Sequence, residues 1–533
     1  MKSWRVLTLC FFAVLPALHS LAQSPQPQPL VVTVTPWGPG QAAVDAARAM
    51  VSNSAVVLRY LQGTRNRLLS LQLLDSPIPG QPPNGVRLIF YDYTNNRSVI
   101  ASGLFNRPET VTATMSNEQP TPSGEEFNEA LDLMRRDPSL GPLLADGSLV
   151  AYRPMPPVIY GASSWTVNER TVLVGLLAHK LPAKNEVAGV NMIEGVVIRY
   201  PNGAPPTSLA NEMSCGIPPA NQGANPGQAQ YQLTITQGNT LLWSMLVTRP
   251  AASSGHNGSA IEVQNVDYLG KRVLKRGHVP ILNVQYLRNL CGPYRDWQDQ
   301  EGMFQADGTD VAPGFRSCPT PAQTIIEDGT DFGNFNGVAY YTTGTEVVLV
   351  TEMEAGWYRY VNEWRFDVNG TIRPRFRFGT TQSSCVCNTH THHAYFRLDF
   401  DIAGADKNVI WEVNARAFPI RRTTETMSLR SPTWNRRWII ENEGTGDKYM
   451  LVPRSSDGLT DPYGRGDVWL LRFHEDELDD YPAPGTEADL GKFVNGESID
   501  KQDVVIWYAT HSLHIGGSED DDSVGPDLVP VSW

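Results

Sequence analysis

Charge is scarce in this chain, and positive charge is the scarcer sign. Only 19% of the 533 residues are charged, and 43 Lys and Arg stand against 56 Asp and Glu, a formal net charge of −13. A nucleic-acid surface neutralises phosphates with clustered Lys and Arg, so that class of partner is excluded. The acidic balance instead favours cationic small molecules, through an attraction that salt screens. Few charges beside 41% hydrophobic residues also exclude a largely disordered chain. A length of this order holds roughly two to four domains. Beyond the N-terminus no apolar run reaches the length of a membrane span.

The N-terminus reads "MKSWRVLTLCFFAVLPALHSLAQ". Lys2 and Arg5 precede a mostly apolar run from Val6 to Leu18, and Ser20-Leu21-Ala22 offers small residues for cleavage. This pattern predicts a signal peptide over residues 1–22 and a secreted or periplasmic product. Cysteine is also sparse. With Cys10 in that segment, Cys215, Cys291, Cys318, Cys385 and Cys387 remain, an odd set that cannot pair completely within one chain. Asn96, Asn257 and Asn369 head N-glycosylation sequons.

What is present divides the chain by texture. After a Gln/Pro leader, "GQAAVDAARAMV" has helical spacing, and "AVVLRYLQ", "RLLSLQLLD" and "GVRLIFYDY" read as strands broken by "SPIPGQPPNG". This predicts an α+β domain over 23–115. A second one, over 116–200, opens on "TPSGEEFNEALDLMRRDPSLGPLL". There Ser123 and Glu126 have capping-box spacing, and Phe127, Ala130, Leu131 and Met134 line one face. Residues 201–230 are rich in Pro, Gly, Asn and Ala and read as a linker or long loop. From 231 to 533 short alternating runs such as "GTEVVLVTEM" and "WRFDVNGTIRPRFRFG" predominate. The fold class expected is α+β and mainly β: two small α+β domains, then one large antiparallel β-sandwich.

The chemistry concentrates in "CVCNTHTHHAYFRLDFD", Cys385 to Asp401. The whole chain has 10 His, and three of them fall here within four residues. On a strand His390 and His392 share one face and His393 takes the other. Two imidazoles at that spacing are half a metal site, or a pair that packs or meets solvent. Asp399 and Asp401 repeat the spacing with hard oxygen ligands suited to Ca²⁺, or mark a solvated strand end. Near the C-terminus "DVVIWYATHSLHIGGSED" adds Asp503, His511 and His514.

Together, a strand His-x-His, a downstream Arg-Leu-Asp-x-Asp and a late aspartate, tryptophan and histidine resemble the copper-containing amine oxidases. The resemblance covers most of the mature chain. It implies copper(II) on His390, His392 and His514. It implies a second metal, calcium or manganese, on Asp399, Asp401 and Asp503 with the carbonyls of Phe400 and Val504. "EAGWYRYVNEW", Glu354 to Trp364, is similar to the family's cofactor segment and makes Tyr358 the precursor of topaquinone. Read without the histidines, it is a strand of alternating aromatics. "CGPYRDWQDQEG" supplies Asp296 as the base for the substrate's α-proton and Tyr294 as the gate beside it. Tyr286, in "NVQYLRN", matches a tyrosine that hydrogen-bonds the cofactor oxygen. The family's activity would be oxidation of a primary amine by O₂, usually in a homodimer with no membrane span.

Several positions depart from the family pattern. Trp357 stands in place of Asn and Arg359 in place of an acid. Trp297 replaces the glycine after the base, and only 32 residues separate Tyr358 from His390. Cys318 matches a disulfide cysteine whose usual partner strand, "VVLVTEM", has no cysteine. These departures sustain an alternative, a non-catalytic secreted copper-binding module with Tyr358 unmodified. A compact zinc site on Cys385, Cys387, His390 and His392 is a third reading, at an awkward Cys-x-Cys spacing.

Overall fold

The computed structural model describes residues 28–533 except 75, 79–80, 118, 154–168, 179–182, 184–185, 200–214, 221–228, 256, 288–293, 384, 479–489 and 517–522. The expected signal peptide lies outside the described residues. Two large sheets stack to enclose the main core. The first has ten strands, and its middle runs Lys271–Tyr286, His390–Phe400, Val504–His514 and Val468–Arg472. The second has eleven and is centred on Glu346–Ala355, Tyr358–Asp367 and Ile372–Thr380. Pairing is antiparallel throughout the central strands, so short turns can join Glu346–Ala355, Tyr358–Asp367 and Ile372–Thr380 in succession.

The sandwich core is aromatic. Trp243, Trp364, Tyr358, Tyr360, Phe376 and Trp438 all lie in one buried cluster drawn from both sheets. The strand His390–Phe400 is buried along both faces except at Thr391, because its partners Lys271–Tyr286 and Val504–His514 flank it and other segments cover the two faces. A strand so placed presents one face to the sandwich interior and the other to covering loops. That geometry lets a single strand carry two chemically separate sites.

Two four-stranded antiparallel sheets form smaller units. Asn66–Leu74 through Arg107–Ser116 pack against helices Gln41–Ser52 and Ala55–Leu61. Leu149–Tyr152 through Val196–Ile198 pack against helix Gly124–Arg135. The run "AVVLRYLQ" is therefore helical where alternation predicts a strand. The Ser54 hydroxyl caps it by accepting the Val57 amide, and seven apolar-rich residues cannot be assigned by periodicity alone. Ser123 likewise accepts the Glu126 amide. The Glu126 carboxylate, however, is drawn to Arg170 at 2.6 Å and Tyr93 at 2.7 Å, so the reciprocal half of the capping box is replaced by a buried ion pair.

Two segments expected to stand apart join the sandwich. Leu30–Trp37 pairs with Gln230–Gln237 at the edge of the first large sheet. Within the predicted linker, Cys215 and Ile217 bridge to Ser383 and Thr381. A Cys215–Cys387 disulfide closes 172 residues of chain there, and Cys385 is disulfide-bonded as well. Both thiols of the Cys-x-Cys pair are thereby consumed, which removes the compact zinc reading. Cys318 is a buried free thiol. Among the described residues no helix is long and apolar enough to cross a membrane.

Candidate metal centres and the tyrosine beside them

Register places the histidines. His390 pairs directly with His514 and also with Tyr286, and His392 pairs with Ser512 and Val284. On the interior face, the His390 ring centroid lies 4.9 Å from that of His392 and 4.7 Å from that of His514. All three residues are at most 3% exposed. Burial pushes His390 down to about 3 and His392 well below the usual imidazole value, so both are neutral and keep a lone pair for a metal.

Hydrogen bonds decide which nitrogen carries that lone pair. The Asn388 carbonyl, which can only accept, lies 2.7 Å from His390 Nδ1; that nitrogen is the donor and Nε2 is bare. The Tyr360 hydroxyl donates to Asp296 Oδ2, so His392 Nδ1, 2.9 Å from the same hydroxyl oxygen, donates to it. Nε2 of His392 is bare too. Both Nε2 atoms are buried without a hydrogen-bond partner. An orphaned buried acceptor is uncommon in a folded protein and calls for an explanation. Neutral imidazoles with the far nitrogen tied down fit a copper(II) ion.

On the opposite face of the same strand, one carboxylate oxygen from each of Asp399, Asp401 and Asp503 lies within 4.8 Å of the others. This is the one trio of potential ligands drawn so close among the described residues, and the histidine trio is more open. Oδ1 of each aspartate is buried and unbonded. Burial is the main cause of three upward shifts: with repulsion from Asp503 and Asp401 it holds Asp399 well above the usual carboxylate range, with repulsion from Asp406 it raises Asp401, and with repulsion from Asp401 it pushes Asp503 up to about 7. Oxygen donors crowded in this way fit a hard cation such as Ca²⁺. Phe400 and Val504 are buried and pair with each other at the adjoining register.

Tyr358 comes from the facing sheet. It is fully buried, and its ring centroid stands 4.7 Å from that of His392 and 5.5 Å from that of His390. Its hydroxyl is 2.5 Å from the Tyr286 hydroxyl, which also accepts the Trp357 indole N–H at 2.9 Å. Trp357 packs on Tyr152 of the second small unit, ring centroids 5.7 Å apart. Asp296 is fully buried with Oδ1 unbonded, and burial holds its carboxyl well above the ordinary range. Tyr294 is positioned by pairing with Val284; its side chain lies outside the described residues.

Two contributors escape a reading of sequence alone. Tyr360 joins Asp296 to His392, and its signal was the two-residue spacing from Tyr358, which puts both rings on one strand face. Arg359, which looks like a defect, is buried and bound bidentately to Asp331 at 2.7 and 2.9 Å. It also donates to the carbonyls of Gly356 and Tyr358, clamping the backbone around the tyrosine. Arg359→Ala strands the buried Asp331 charge and is expected to destabilise the protein by about 3 kcal/mol. Denaturant titration measures this, and the double change with Asp331→Ala should recover part of the loss. A wild-type midpoint for Arg359→Ala would refute the clamp.

No protein-family model matches the chain. Solved structures do resemble it. The copper-containing benzylamine oxidase of Hansenula polymorpha superposes with a TM-score of 0.62 at 13% identity, covering 93% of this chain and 97% of that one. The fold is that of the copper-containing amine oxidases. The Aspergillus nidulans amine oxidase gives 0.55 at 12% identity, covering 96% and 89%. The lysyl oxidase of Pichia pastoris gives 0.55 at 12%, covering 95% and 90%. At such identities the amine-oxidase likeness establishes architecture; chemistry rests on the residues themselves.

Proposed function

We propose that this protein is an exported copper- and topaquinone-dependent oxidase that converts primary amines, with O₂ and water, to aldehyde, ammonia and H₂O₂. The observation that carries this reading is Tyr358, buried against two imidazoles whose Nε2 atoms have no other partner. His390, His392 and His514 would hold the copper. Asp399, Asp401 and Asp503, with the Phe400 and Val504 carbonyls, would hold the second ion. Apart from the strand Leu30–Trp37, which joins the sandwich, residues 23–115 and 116–200 are taken as two α+β domains ahead of the catalytic unit, and the assembly as a homodimer. The Cys215–Cys387 bridge agrees with an oxidising destination.

Bound copper and a quinone made from Tyr358 would supply contact with O₂ and an electron sink for the amine. The chain's own residues do the rest. Tyr286, held by Trp357, fixes the Tyr358 oxygen. Asp296 takes the substrate's α-proton, and its burial makes it a strong acceptor. Tyr360 keeps its Oδ2 oriented and leaves Oδ1 for the substrate. Because the Asp296 carboxyl sits above its ordinary range, it ionises late, and kcat/KM should rise with pH along a limb displaced upward from a normal aspartate. Asp296→Asn should lower turnover roughly 10²- to 10⁴-fold while leaving the quinone colour in place. A variant with normal turnover would remove Asp296 from the role.

A second reading, a copper-binding module with Tyr358 unmodified, draws on the 2.5 Å contact that already engages the Tyr358 hydroxyl and on the openness of the histidine trio. Copper-loaded, aerated protein separates the two. A visible quinone band, a positive redox-cycling stain and H₂O₂ release with simple aryl and alkyl amines support the oxidase; colourless, stain-negative holoprotein supports the module.

A further inference from the structure

The third histidine of the cluster belongs to neither proposed metal centre. His393 pairs across the ladder with His511, on the face away from His390 and His392. Their Nδ1 atoms are 2.8 Å apart, and the residues are 0% and 3% exposed. Gly464 lies against both rings, where a Cβ would meet His393 Nδ1 at 2.6 Å. Bulk is excluded there, and the loop carrying Asp461 and Asp467 closes tightly over the pair.

Proton positions follow from the partners. His511 Nε2 faces the Gly466 carbonyl at 3.2 Å and Asp467 Oδ1 at 3.1 Å. Both are acceptors, so this nitrogen carries hydrogen. In the neutral imidazole, His511 Nδ1 is then bare and accepts from His393 Nδ1–H. That leaves His393 Nε2 with a lone pair, fully buried and without a hydrogen-bond partner. Opposite it stands Asp461 Oδ2 at 3.7 Å, beyond hydrogen-bond reach. Asp461 Oδ1 is committed to the amides of Tyr463 and Gly464, which turns Oδ2 toward the imidazole. The Asp461 side chain is 29% exposed, so one of the two donors reaches solvent. Arg430 anchors the far end of the chain by binding Asp467 through its amide at 2.7 Å and its guanidinium at 3.2 Å.

We propose that His393 Nε2 and Asp461 Oδ2 form a separate binding site for a divalent transition metal of the zinc(II) and copper(II) class. Metal–nitrogen and metal–oxygen bonds of about 2.1 Å at a tetrahedral angle separate the two donors by about 3.4 Å, so a small movement of Asp461 closes the gap. Water fills the remaining positions. The Asp467–His511 pair plays the supporting part, orienting the ligating imidazole through its other nitrogen. Imidazole with a single carboxylate selects borderline cations over Ca²⁺.

Zn²⁺ is the probe, with full-length protein dialysed in excess Ca²⁺ to occupy the carboxylate trio. Wild type should bind one equivalent more than Asp461→Asn, and the His390→Ala/His392→Ala chain should keep that extra equivalent. Asn retains the Oδ1 acceptor of the turn, so Asp461→Asn should melt like wild type while its Zn²⁺ affinity at this site falls at least tenfold. His393→Gln should abolish the site. Equal Zn²⁺ stoichiometry and affinity in wild type and Asp461→Asn would overturn the proposal. So would an extra equivalent that disappears with His390 and His392, since the ion would then belong to the interior centre.

Discussion

Tyr358→Phe should abolish the visible quinone band, the redox-cycling stain and amine-dependent H₂O₂ release of copper-loaded, aerated protein, while copper binding persists. The substitution deletes one oxygen and keeps the ring, so the packing on His390, His392 and Phe378 is retained. The Tyr286 hydroxyl loses one partner but still accepts from Trp357, a net loss of about 1 kcal/mol. Thermal melting should therefore move little, which distinguishes lost chemistry from lost fold. Copper content, read by metal analysis, should match wild type, because the lone pairs that would hold it belong to the histidines. Colour or turnover surviving in Tyr358→Phe would place the cofactor elsewhere and end the assignment.

How much of this was legible depends on the range of each interaction. Alternation along one strand separates His390 and His392 from His393 without any structure, since side-chain direction there is a local property. The meeting of His514 with His390 is a pairing across more than a hundred residues, and only the resemblance pointed to it. Arg359 illustrates the opposite case. Judged by its neighbours it is a misplaced charge, and its meaning lies in Asp331, which is brought up by a separate loop. The same holds for Cys387, whose partner Cys215 lies in a stretch that composition alone marks as a linker. The run from Ala55 fails for a different reason. Seven residues of mixed β-branched and apolar character satisfy either period, and the decision falls to a single capping hydroxyl on Ser54.

Chelation should destabilise the protein at neutral pH and leave it nearly unaffected at pH 5. The carboxylates of Asp399, Asp401 and Asp503 all have folded-state values above the unfolded ones, Asp503 at about 7. A raised carboxyl binds more protons folded than unfolded, so its contribution is complete below about pH 4 and is lost as pH climbs toward its folded value. Each pH unit of that linkage is worth about 1.4 kcal/mol. Asp503 is only partly buried, so screening trims its share to roughly 2 kcal/mol, and the more deeply buried Asp399 acts in the same direction. Ca²⁺ at the proposed site would compete with the same protons for the same oxygens. It should bind little while the trio is protonated, and above pH 7 it should recover what deprotonation removed. The difference in melting temperature between Ca²⁺-saturated and EDTA-treated protein is therefore expected to open from near zero at pH 5 to its full size by pH 7.5, and to vanish in Asp401→Asn. A gap of constant size across that range, or one that survives Asp401→Asn, would mean that these three aspartates do not hold the ion.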